Sequence, residues 1–361
     1  MLFVPGSIPI ARVISCTSLR ELKRGKHLYL TVGECIQEKL MRITVSAPAR
    51  LHLGDLDPFA LGRFGYAPVL AISEPRTIIE AETAETLTIE GPAAEEARTY
   101  AQRVLDAFAL AGARVTVKAT APRNQGFGST TQLSLAVARA VTKAHGLDVP
   151  LLELVKAVKR TSTGGIYPFL QGGFVVAGGF PVKHGERVWL REKPLIPPLI
   201  FHADFPEDWR FVLARPLVAP KSPDKEAEEE AFGSLREHEP PAELIHKGYF
   251  LLAAKLIPAV LEEDAEAFGK ALTGIQMTVG RIYQPVQEQI FNPASQWLIP
   301  LLNRSGALGI GQSSWGPTVY AFIDSPAAAD RIAETIKTEA QERADVTIVS
   351  ADNTGARIAT A

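Results

Sequence analysis

A glycine-rich segment between a strand and an apolar helix is the feature that most constrains this chain. The alternating residues 114–118 predict the strand, and Gly126-Phe127-Gly128-Ser129-Thr130-Thr131 follows it. Glycines let the backbone approach a ligand closely, and the N–H groups at a helix N-terminus favour an anion. The segment therefore predicts a phosphate-binding loop. The helix after it has one apolar face, formed by Leu133, Ala136, Val137, Ala140 and Val141.

Two further observations bear on this loop. Ser129 and Gln132 have the spacing of a capping box, which predicts that Ser129 caps the helix. The segment has neither the Gly-Lys-Ser/Thr of a Walker loop nor the third glycine of a dinucleotide-binding motif. A capped turn without a ligand explains the segment, taken alone, equally well.

Composition and charge exclude several classes of protein. The formal net charge of −2 gives no reason to expect nucleic acid or an anionic membrane as a partner. No apolar run reaches the roughly 20 residues that a membrane-spanning helix needs. No basic region precedes the apolar N-terminus, so we expect no signal peptide and a cytoplasmic protein. Both cysteines, Cys16 and Cys35, precede the main body of the chain, which excludes a cysteine-ligated metal site there.

The pattern along the chain predicts two domains after an extension. Residues 1–40 have no clear period, and we expect an extension that is disordered or belongs to an upstream start. A crisp alternation begins at Met41, so residues 41–195 form a first domain that contains the loop. Three prolines among residues 194–198 suit a crossing into a second domain, residues 196–361. Alternating runs predict short strands at residues 67–72 and 77–81, and helical spacing predicts a helix over residues 264–280. Helices and strands follow one another without strict alternation, which favours the α+β class.

Three motifs resemble those of the GHMP kinases, in the same order. Pro122-x-x-x-Gly126-Phe127-Gly128-Ser129-Thr130-Thr131 resembles the second motif, and Ser46-Ala47-Pro48-Ala49-Arg50-Leu51-His52-Leu53-Gly54 resembles the first. The segment from Gly306 to Ser314 lies where that family has its third, glycine-rich motif. The resemblance implies a two-domain fold. Its N-terminal domain is like domain 2 of ribosomal protein S5 and its C-terminal domain is ferredoxin-like, and nucleotide (ATP) binding is common in the superfamily.

One branch of that superfamily is more similar still. Gly309-Ile310-Gly311-Gln312-Ser313-Ser314-Trp315-Gly316-Pro317 resembles the signature of the β-ribofuranosylaminobenzene 5′-phosphate (β-RFAP) synthases. The resemblance implies transfer of a phosphoribosyl group from phosphoribosyl pyrophosphate to a para-substituted benzoate, with loss of CO2 and pyrophosphate, early in methanopterin biosynthesis. It also implies Mg²⁺ as a cofactor and a homodimer. Where the branch has an Asp after its apolar strand, this chain has Ala177.

The resemblance and the residue chemistry together give a set of candidate site residues. Arg50 and Arg160 are expected to clamp phosphate, because guanidinium pairs with phosphate in a bidentate fashion. Asp55 is expected to be catalytic, and Asp57 with Ser129 to hold Mg²⁺; turn formation is an equally good interpretation of both aspartates. The residues expected to bind the aromatic substrate are Gln312, Ser313, Ser314, Trp315 and Gly316, with Trp315 stacking on the ring.

Two other functions remain open at the level of sequence. The loop also suits an ATP-dependent GHMP kinase with a small alcohol or sugar substrate, although such a kinase commonly uses an Asp where Ala177 stands. A non-catalytic protein that kept the pocket for a phosphorylated ligand is the other alternative. The products formed from phosphoribosyl pyrophosphate or from ATP distinguish the three.

Overall fold

The computed structural model of the protein describes residues 22–24, 27–29, 42–162, 164–182, 196–217 and 225–360. The chain divides into two compact units, Met1–Leu40 and Met41–Ala361. In the first unit, strands Leu22–Arg24 (β1) and His27–Tyr29 (β2) form an antiparallel hairpin. The remainder of the predicted extension lies outside the described residues, as does the predicted boundary after residue 195.

The first sheet of the larger unit is built around one long strand. Its strands in the described chain are Ile43–His52 (β3), Arg63–Thr83 (β4), Thr88–Glu90 (β5), Ala113–Ala119 (β6), Phe174–Pro181 (β7), Leu199–Ala203 (β8) and Arg357–Thr360 (β13). β3 runs antiparallel along most of β4, while β7 pairs with the first part of β4 and β6 with the last part. β13 brings the C-terminal segment back to pair with β3. The end of β3 has β4 on one side only, because β13 pairs with its first residues. On its other side, the backbone amides of Arg50 and His52 donate to Phe127 and to Ser313, outside this sheet.

A helical layer covers one face of this sheet. Its members are Ala94–Phe108 (α1), Ser129–Ala144 (α2), Leu151–Ala157 (α3) and Ile166–Gln171 (α4). α2 is the central helix, since it contacts β3 and β4 on one side and α1, α3 and α4 around it. Its alanines are small enough to allow that close packing, and nearly all of its residues are buried. The N-terminus of α2 is thereby fixed beside the end of β3.

The second sheet is buried on both faces. Its strands are Arg210–Pro216 (β9), Gly309–Gln312 (β10), Val319–Ile323 (β11) and Ala344–Val349 (β12), all antiparallel in the order β10-β11-β9-β12. Side chains alternate along β9: Phe211 and Leu213 join a hydrophobic cluster shared with the first sheet, and Val212 and Ala214 join a cluster on the other face. Each face of the pleat thus meets a different apolar layer.

The remaining helices surround the second sheet. They are Lys225–Glu237 (α5), Ala242–Leu251 (α6), the π-helical turn Leu252–Leu256, Ile257–Leu261 (α7), Ala265–Gln287 (α8), the 3-10 turn Gln296–Leu298, Ile299–Arg304 (α9) and Pro326–Ala340 (α10). Within the described chain, the stretch Ala242–Leu261 alone is long and apolar enough to cross a membrane. It contacts α8 along its length, so this is weak evidence for a span.

The fold confirms the α+β class and corrects two predicted boundaries. The two short strands predicted at residues 67–72 and 77–81 are parts of the single strand β4. The helix predicted at residues 264–280 continues to Gln287. Gly280 does not end it: a Cβ there would lie 2.3 Å from the carbonyl oxygen of Ile290, so the glycine serves close packing inside the helix.

Candidate active site

A pocket of about 380 Å³ forms where the two sheets meet. The end of β3, the glycine-rich loop, the start of α2 and the segment after α3 supply one side of it. α8, Phe232 of α5 and the turn between β10 and β11 supply the other. All three sequence motifs therefore converge on this pocket.

The glycine-rich loop begins α2 in a left-handed conformation. Gly126 has φ +87° and Gly128, the N-cap of α2, has φ +71°. The capping-box prediction was wrong, since Ser129 is already the first helical residue and makes no side-chain cap. The Gln132 amide instead donates to the carbonyl oxygen of Gly165 at 2.9 Å.

The backbone amides at the start of α2 have no protein acceptor among the described residues. In the described part of the chain, the N–H groups of residues 127–130 donate to no recorded acceptor, whereas those of Thr131 and Gln132 donate to Gly128. The first amides of a helix lack partners within the helix, and together with the helix dipole they favour negative charge. The loop lines the pocket, so these amides form its candidate anion-binding end.

Cationic side chains surround this anion-binding end. Nη1 of Arg50 donates to the Gly126 carbonyl oxygen at 2.5 Å, and the Arg50 backbone amide donates to Phe127 at 3.1 Å. Nε of Arg160 donates to the Thr131 hydroxyl at 3.2 Å. Both arginines and Lys159 line the pocket. The two predicted arginines are thus brought together at the loop, although they come from distant parts of the sequence.

Ser313 was expected to bind substrate, but the structure places it behind the loop. It is fully buried and is not among the residues that line the pocket. Its hydroxyl accepts from the backbone amide of His52 at 2.9 Å and donates to the Gly126 carbonyl oxygen at 2.6 Å. Ser313 therefore joins β3, the glycine loop and the turn after β10 at one point.

His52 lines the pocket next to this junction. Burial, and secondly the charge of Arg50, hold the pKa of His52 well below its usual value of 6.5. The imidazole is consequently neutral near neutral pH and adds no positive charge to the site.

Amide hydrogen bonds shape the turn between β10 and β11. Oε1 of Gln312 accepts from the Asn292 backbone at 2.5 Å, and its Nε2 donates to the Ser314 carbonyl oxygen at 2.8 Å. The backbone amide of Gln312 donates to Oε1 of Gln276. The side-chain Nε2 of Gln276 in turn donates to the Leu53 carbonyl oxygen. Gln312, Ser314 and the two residues that follow line the pocket, and Gln312 also holds the turn in shape; that they bind the substrate stays a prediction.

Aromatic rings form the wall of the pocket beside this turn. Trp315 packs edge-on against Tyr283, with ring centroids 4.9 Å apart, and against Phe232 at 5.6 Å. We refer to Trp315, Tyr283 and Phe232 as the aromatic wall. The hydroxyl of Tyr283 donates to Oδ2 of Asp55 at 3.0 Å, and Asp55 lines the pocket too. This part of the pocket therefore combines aromatic rings with one carboxylate.

The structure does not bring Asp57 into the site. Its carboxylate accepts the backbone amides of Leu61, Gly62 and Arg63 at 2.8–3.1 Å, and the residue is fully buried. It is not among the pocket-lining residues. Asp57 therefore closes the turn between β3 and β4, and the expectation that it binds Mg²⁺ is corrected.

The donor set suits a metal ion held chiefly by its substrate. In the described ranges, no group of three or more His, Cys, Asp and Glu side chains could hold a metal ion. Ser129 offers a hydroxyl oxygen to the pocket. Mg²⁺ is commonly bound through one or two protein oxygens together with substrate phosphates and water. The pocket fits that mode of binding.

Sequence reasoning missed the contribution of α8. Gln276, Gly280, Tyr283 and Gln287 all line the pocket, and their spacing of four, three and four residues puts them on one helix face. That spacing was visible, but the helix was expected to end at Gly280. Nothing in the pattern around Phe232 could have indicated its role. Ala177, where the related pattern has an Asp, is buried in β7 and does not line the pocket.

Comparisons with known proteins agree with this architecture. The family model for the GHMP kinase N-terminal domain matches residues 95–173, and the model for the GHMP kinase C-terminal region matches residues 256–341. Mevalonate kinase from L. major has a TM-score of 0.63 at 15% identity and covers 86% of this chain and 96% of its own. Homoserine kinase from Cytophaga hutchinsonii has a TM-score of 0.61 at 17% identity and covers 90% and 100%. The two-domain GHMP kinase fold is confirmed.

Curated relatives narrow the class to one family. Beta-ribofuranosylphenol 5′-phosphate synthase from Archaeoglobus fulgidus is 33% identical over 294 residues, which are 79% of this chain and 89% of the relative. The enzyme of that name from Methanothermobacter thermautotrophicus is 29% identical over 302 residues, 79% and 90% of the two chains. The chain belongs to the beta-ribofuranosylphenol 5′-phosphate synthase family, and the resemblance inferred from the motifs is confirmed.

Proposed function

We propose that this enzyme joins phosphoribosyl pyrophosphate to 4-aminobenzoate or 4-hydroxybenzoate and releases pyrophosphate and CO2. It is a transferase, as its named relatives are. The observation that carries the proposal is the polarity of one pocket. Loop amides that have no acceptor among the described residues line one part of it together with cations, and the aromatic wall lines another part.

The anion-binding end suits the phosphoribosyl donor. Pyrophosphate bears several negative charges that must be neutralised as it departs, and preorganised amides and guanidinium groups do this without reorganisation. Residues 127–130 supply the amides, and Arg50 and Arg160 supply the charge. When bound, Mg²⁺ would neutralise further charge on the leaving group, with the Ser129 hydroxyl as its candidate protein oxygen.

The aromatic end suits the acceptor. A benzoate ring that lies along Trp315 gains offset or edge contacts with the aromatic wall. One pocket then holds both reactants in a fixed relation and limits access of water, which is the main requirement for joining two substrates.

The bond changes in the proposed reaction balance without an added reagent. The ring carbon that bears the carboxylate forms a bond to C1 of the ribose, and the C1–oxygen bond breaks with its electron pair leaving on pyrophosphate. The bond from the ring to the carboxylate then breaks, and its electron pair restores aromaticity as CO2 departs. With the acid bound as its anion, no net proton is taken up.

The proposal includes three properties of the chain beyond the chemistry. These are a place in tetrahydromethanopterin biosynthesis and a homodimer, both implied by the family resemblance, and a cytoplasmic location. Light scattering of the purified protein tests the homodimer, and a monomer at assay concentrations would refute it.

Product analysis tests the proposed function. The purified protein is incubated with Mg²⁺, phosphoribosyl pyrophosphate and carboxyl-labelled 4-aminobenzoate or 4-hydroxybenzoate. We expect labelled CO2 and pyrophosphate in equal amounts. Formation of ADP from ATP and an alcohol, without CO2 release, would support the small-molecule kinase instead. Binding of phosphoribosyl pyrophosphate without turnover would support a non-catalytic protein.

A substitution at the loop tests the same proposal. Arg50→Met should abolish product formation. Arg123→Met is its matched control, because Arg123 is an exposed arginine that pairs with Glu96.

A further inference from the structure

We propose that Asp55 recognises the para substituent of the aromatic acid, and that Tyr283 positions Asp55 for this contact. Asp55 accepts a hydrogen bond from the amino or hydroxyl group of the ring. The inference rests on the proposed function and deepens it, because it names the side chain that distinguishes benzoates with a hydrogen-bond donor opposite the carboxylate from those without one.

The charge layout of the pocket determines which way the ring points. The ring carbon that bears the carboxylate must reach C1 of the ribose, next to the departing pyrophosphate. The carboxylate therefore lies toward the cations and loop amides, on the side of Arg50 and Arg160. A para substituent lies at the opposite end of a benzene ring, so it points away from the loop. Asp55 is the acidic side chain among the described residues that line the pocket.

The contacts of Tyr283 place Asp55 at the edge of the aromatic wall. The Tyr283 ring packs against Trp315, and its hydroxyl donates to Oδ2 of Asp55 at 3.0 Å. Asp55 follows β3 and Tyr283 lies on α8, so the contact joins the two halves of the pocket. A flat ring lying along the aromatic wall meets the Asp55 carboxylate at its rim.

The chemistry of the carboxylate selects the substituent. An ionised carboxylate only accepts hydrogen bonds, and it accepts up to about four, so the bond from Tyr283 does not exclude a second donor. Amino and hydroxyl groups donate, whereas a methyl group leaves the carboxylate facing an apolar atom, which is costly in a partly buried site. A second carboxylate in the para position would be repelled. The same contact draws electron density from the N–H or O–H bond into the ring, which favours attack by the para carbon.

A comparison of two acids of the same shape tests the contact. 4-Aminobenzoate has the donor, and 4-methylbenzoate lacks it. With saturating phosphoribosyl pyrophosphate, we measure KM for 4-aminobenzoate by CO2 release and the competitive inhibition constant of 4-methylbenzoate. For the wild-type chain, the inhibition constant of 4-methylbenzoate should be at least about tenfold higher than KM for 4-aminobenzoate, as expected for one lost hydrogen bond to a charged group.

Two variants and one control isolate the residues. Asp55→Leu removes the acceptor and should bring the ratio of the two constants close to one. Tyr283→Phe should lower that ratio several-fold, and Tyr167→Phe should leave it unchanged. The Tyr167→Phe variant also loses a tyrosine hydroxyl. In the wild type that hydroxyl donates to the Pro197 carbonyl oxygen at 2.7 Å, and Tyr167 does not line the pocket. Where a variant does not turn over, calorimetric titration of the two acids in the presence of pyrophosphate gives the same ratio.

The outcomes separate the two proposals. An unchanged ratio in both Asp55→Leu and Tyr283→Phe, with normal circular dichroism, would overturn the recognition role while leaving the reaction intact. A wild-type ratio near one would overturn it as well. If the wild-type chain releases neither CO2 nor pyrophosphate, the proposed function fails, and the calorimetric ratio still decides whether Asp55 reads the substituent.

Discussion

Gly126 is the residue at which the glycine loop touches the turn after β10, and replacing it with alanine tests how that contact works. Its φ is +87°, and a Cβ there would lie 2.3 Å from the carbonyl oxygen of Ser313. Gly146 is a matched control, because its φ of +72° is similar but no heavy atom lies within 4 Å of the Cβ position. Alanine therefore adds backbone strain alone at Gly146, and strain together with a clash at Gly126.

The structure sets the size of the two effects. An L-residue in the left-handed region costs about 1–2 kcal/mol. Overpacking against a fixed neighbour adds about 1–3 kcal/mol, and the neighbour here is backbone that Ser313 ties to β3. We expect Gly146→Ala to lower the free energy of unfolding by about 1–2 kcal/mol and Gly126→Ala by about 2–5 kcal/mol.

Urea unfolding and steady-state kinetics measure these consequences. A loop displaced by even about 1 Å misaligns the phosphate cradle, so kcat/KM for Gly126→Ala should fall on the order of 100-fold. Gly146→Ala should keep kcat/KM within about a factor of two, because it lies at the far end of α2. Equal losses of stability in the two variants, with activity unchanged in both, would show that the loop does not depend on its contact with Ser313.

Three further predictions concern single side chains. Asp57→Ala removes a buried carboxylate that accepts three backbone amides, so urea unfolding should show a loss of about 1.5–3 kcal/mol while the Mg²⁺ dependence of the activity stays as in the wild type; a changed Mg²⁺ dependence would contradict the structural role. Arg160→Met should raise KM for phosphoribosyl pyrophosphate about 10- to 100-fold and leave KM for the aromatic acid unchanged, and an equal rise in both would count against a phosphate role. Because the pKa of His52 is held below its usual 6.5, the unfolded chain takes up a proton that the folded chain does not as pH falls below that value. Wild-type stability should therefore decline on acidification by at most about 1.4 kcal/mol per pH unit from this residue, and His52→Gln, unfolded in urea between pH 7.5 and 5, should lack that contribution.

Local pattern predicted the elements that hold the loop. The strand before the loop, now β6, and the apolar helix after it, α2, both lie where alternation and helical spacing indicated. The start of α2 was misjudged by one residue, because Gly128 adopts a left-handed backbone and takes the N-cap position that a capping box would give to Ser129. The spacing of apolar residues along a segment predicts which side chains are buried, but it does not predict the backbone conformation of a single residue.

The site was predictable only where chemistry and loop position coincided. Arg50 and Trp315 both line the pocket, as their motifs indicated. Ser313 has the same polar character but is buried behind the loop, since two hydrogen bonds take its hydroxyl inward. Asp57 also has the right chemistry for the site, but its carboxylate closes a turn and does not reach the pocket. Tyr283 reaches the site from α8, more than two hundred residues after Asp55, and such a contact depends on the tertiary fold.

The most direct measurement is a crystal structure of the protein soaked with Mg²⁺ and pyrophosphate. Our account predicts phosphate oxygens within hydrogen-bonding distance of the amides of residues 127–130. Arg50 and Arg160 should contact the pyrophosphate, and the space beside the aromatic wall should stay unoccupied. Pyrophosphate bound elsewhere, with those amides turned away from it, would contradict the assignment of this loop as the site where the leaving group is held.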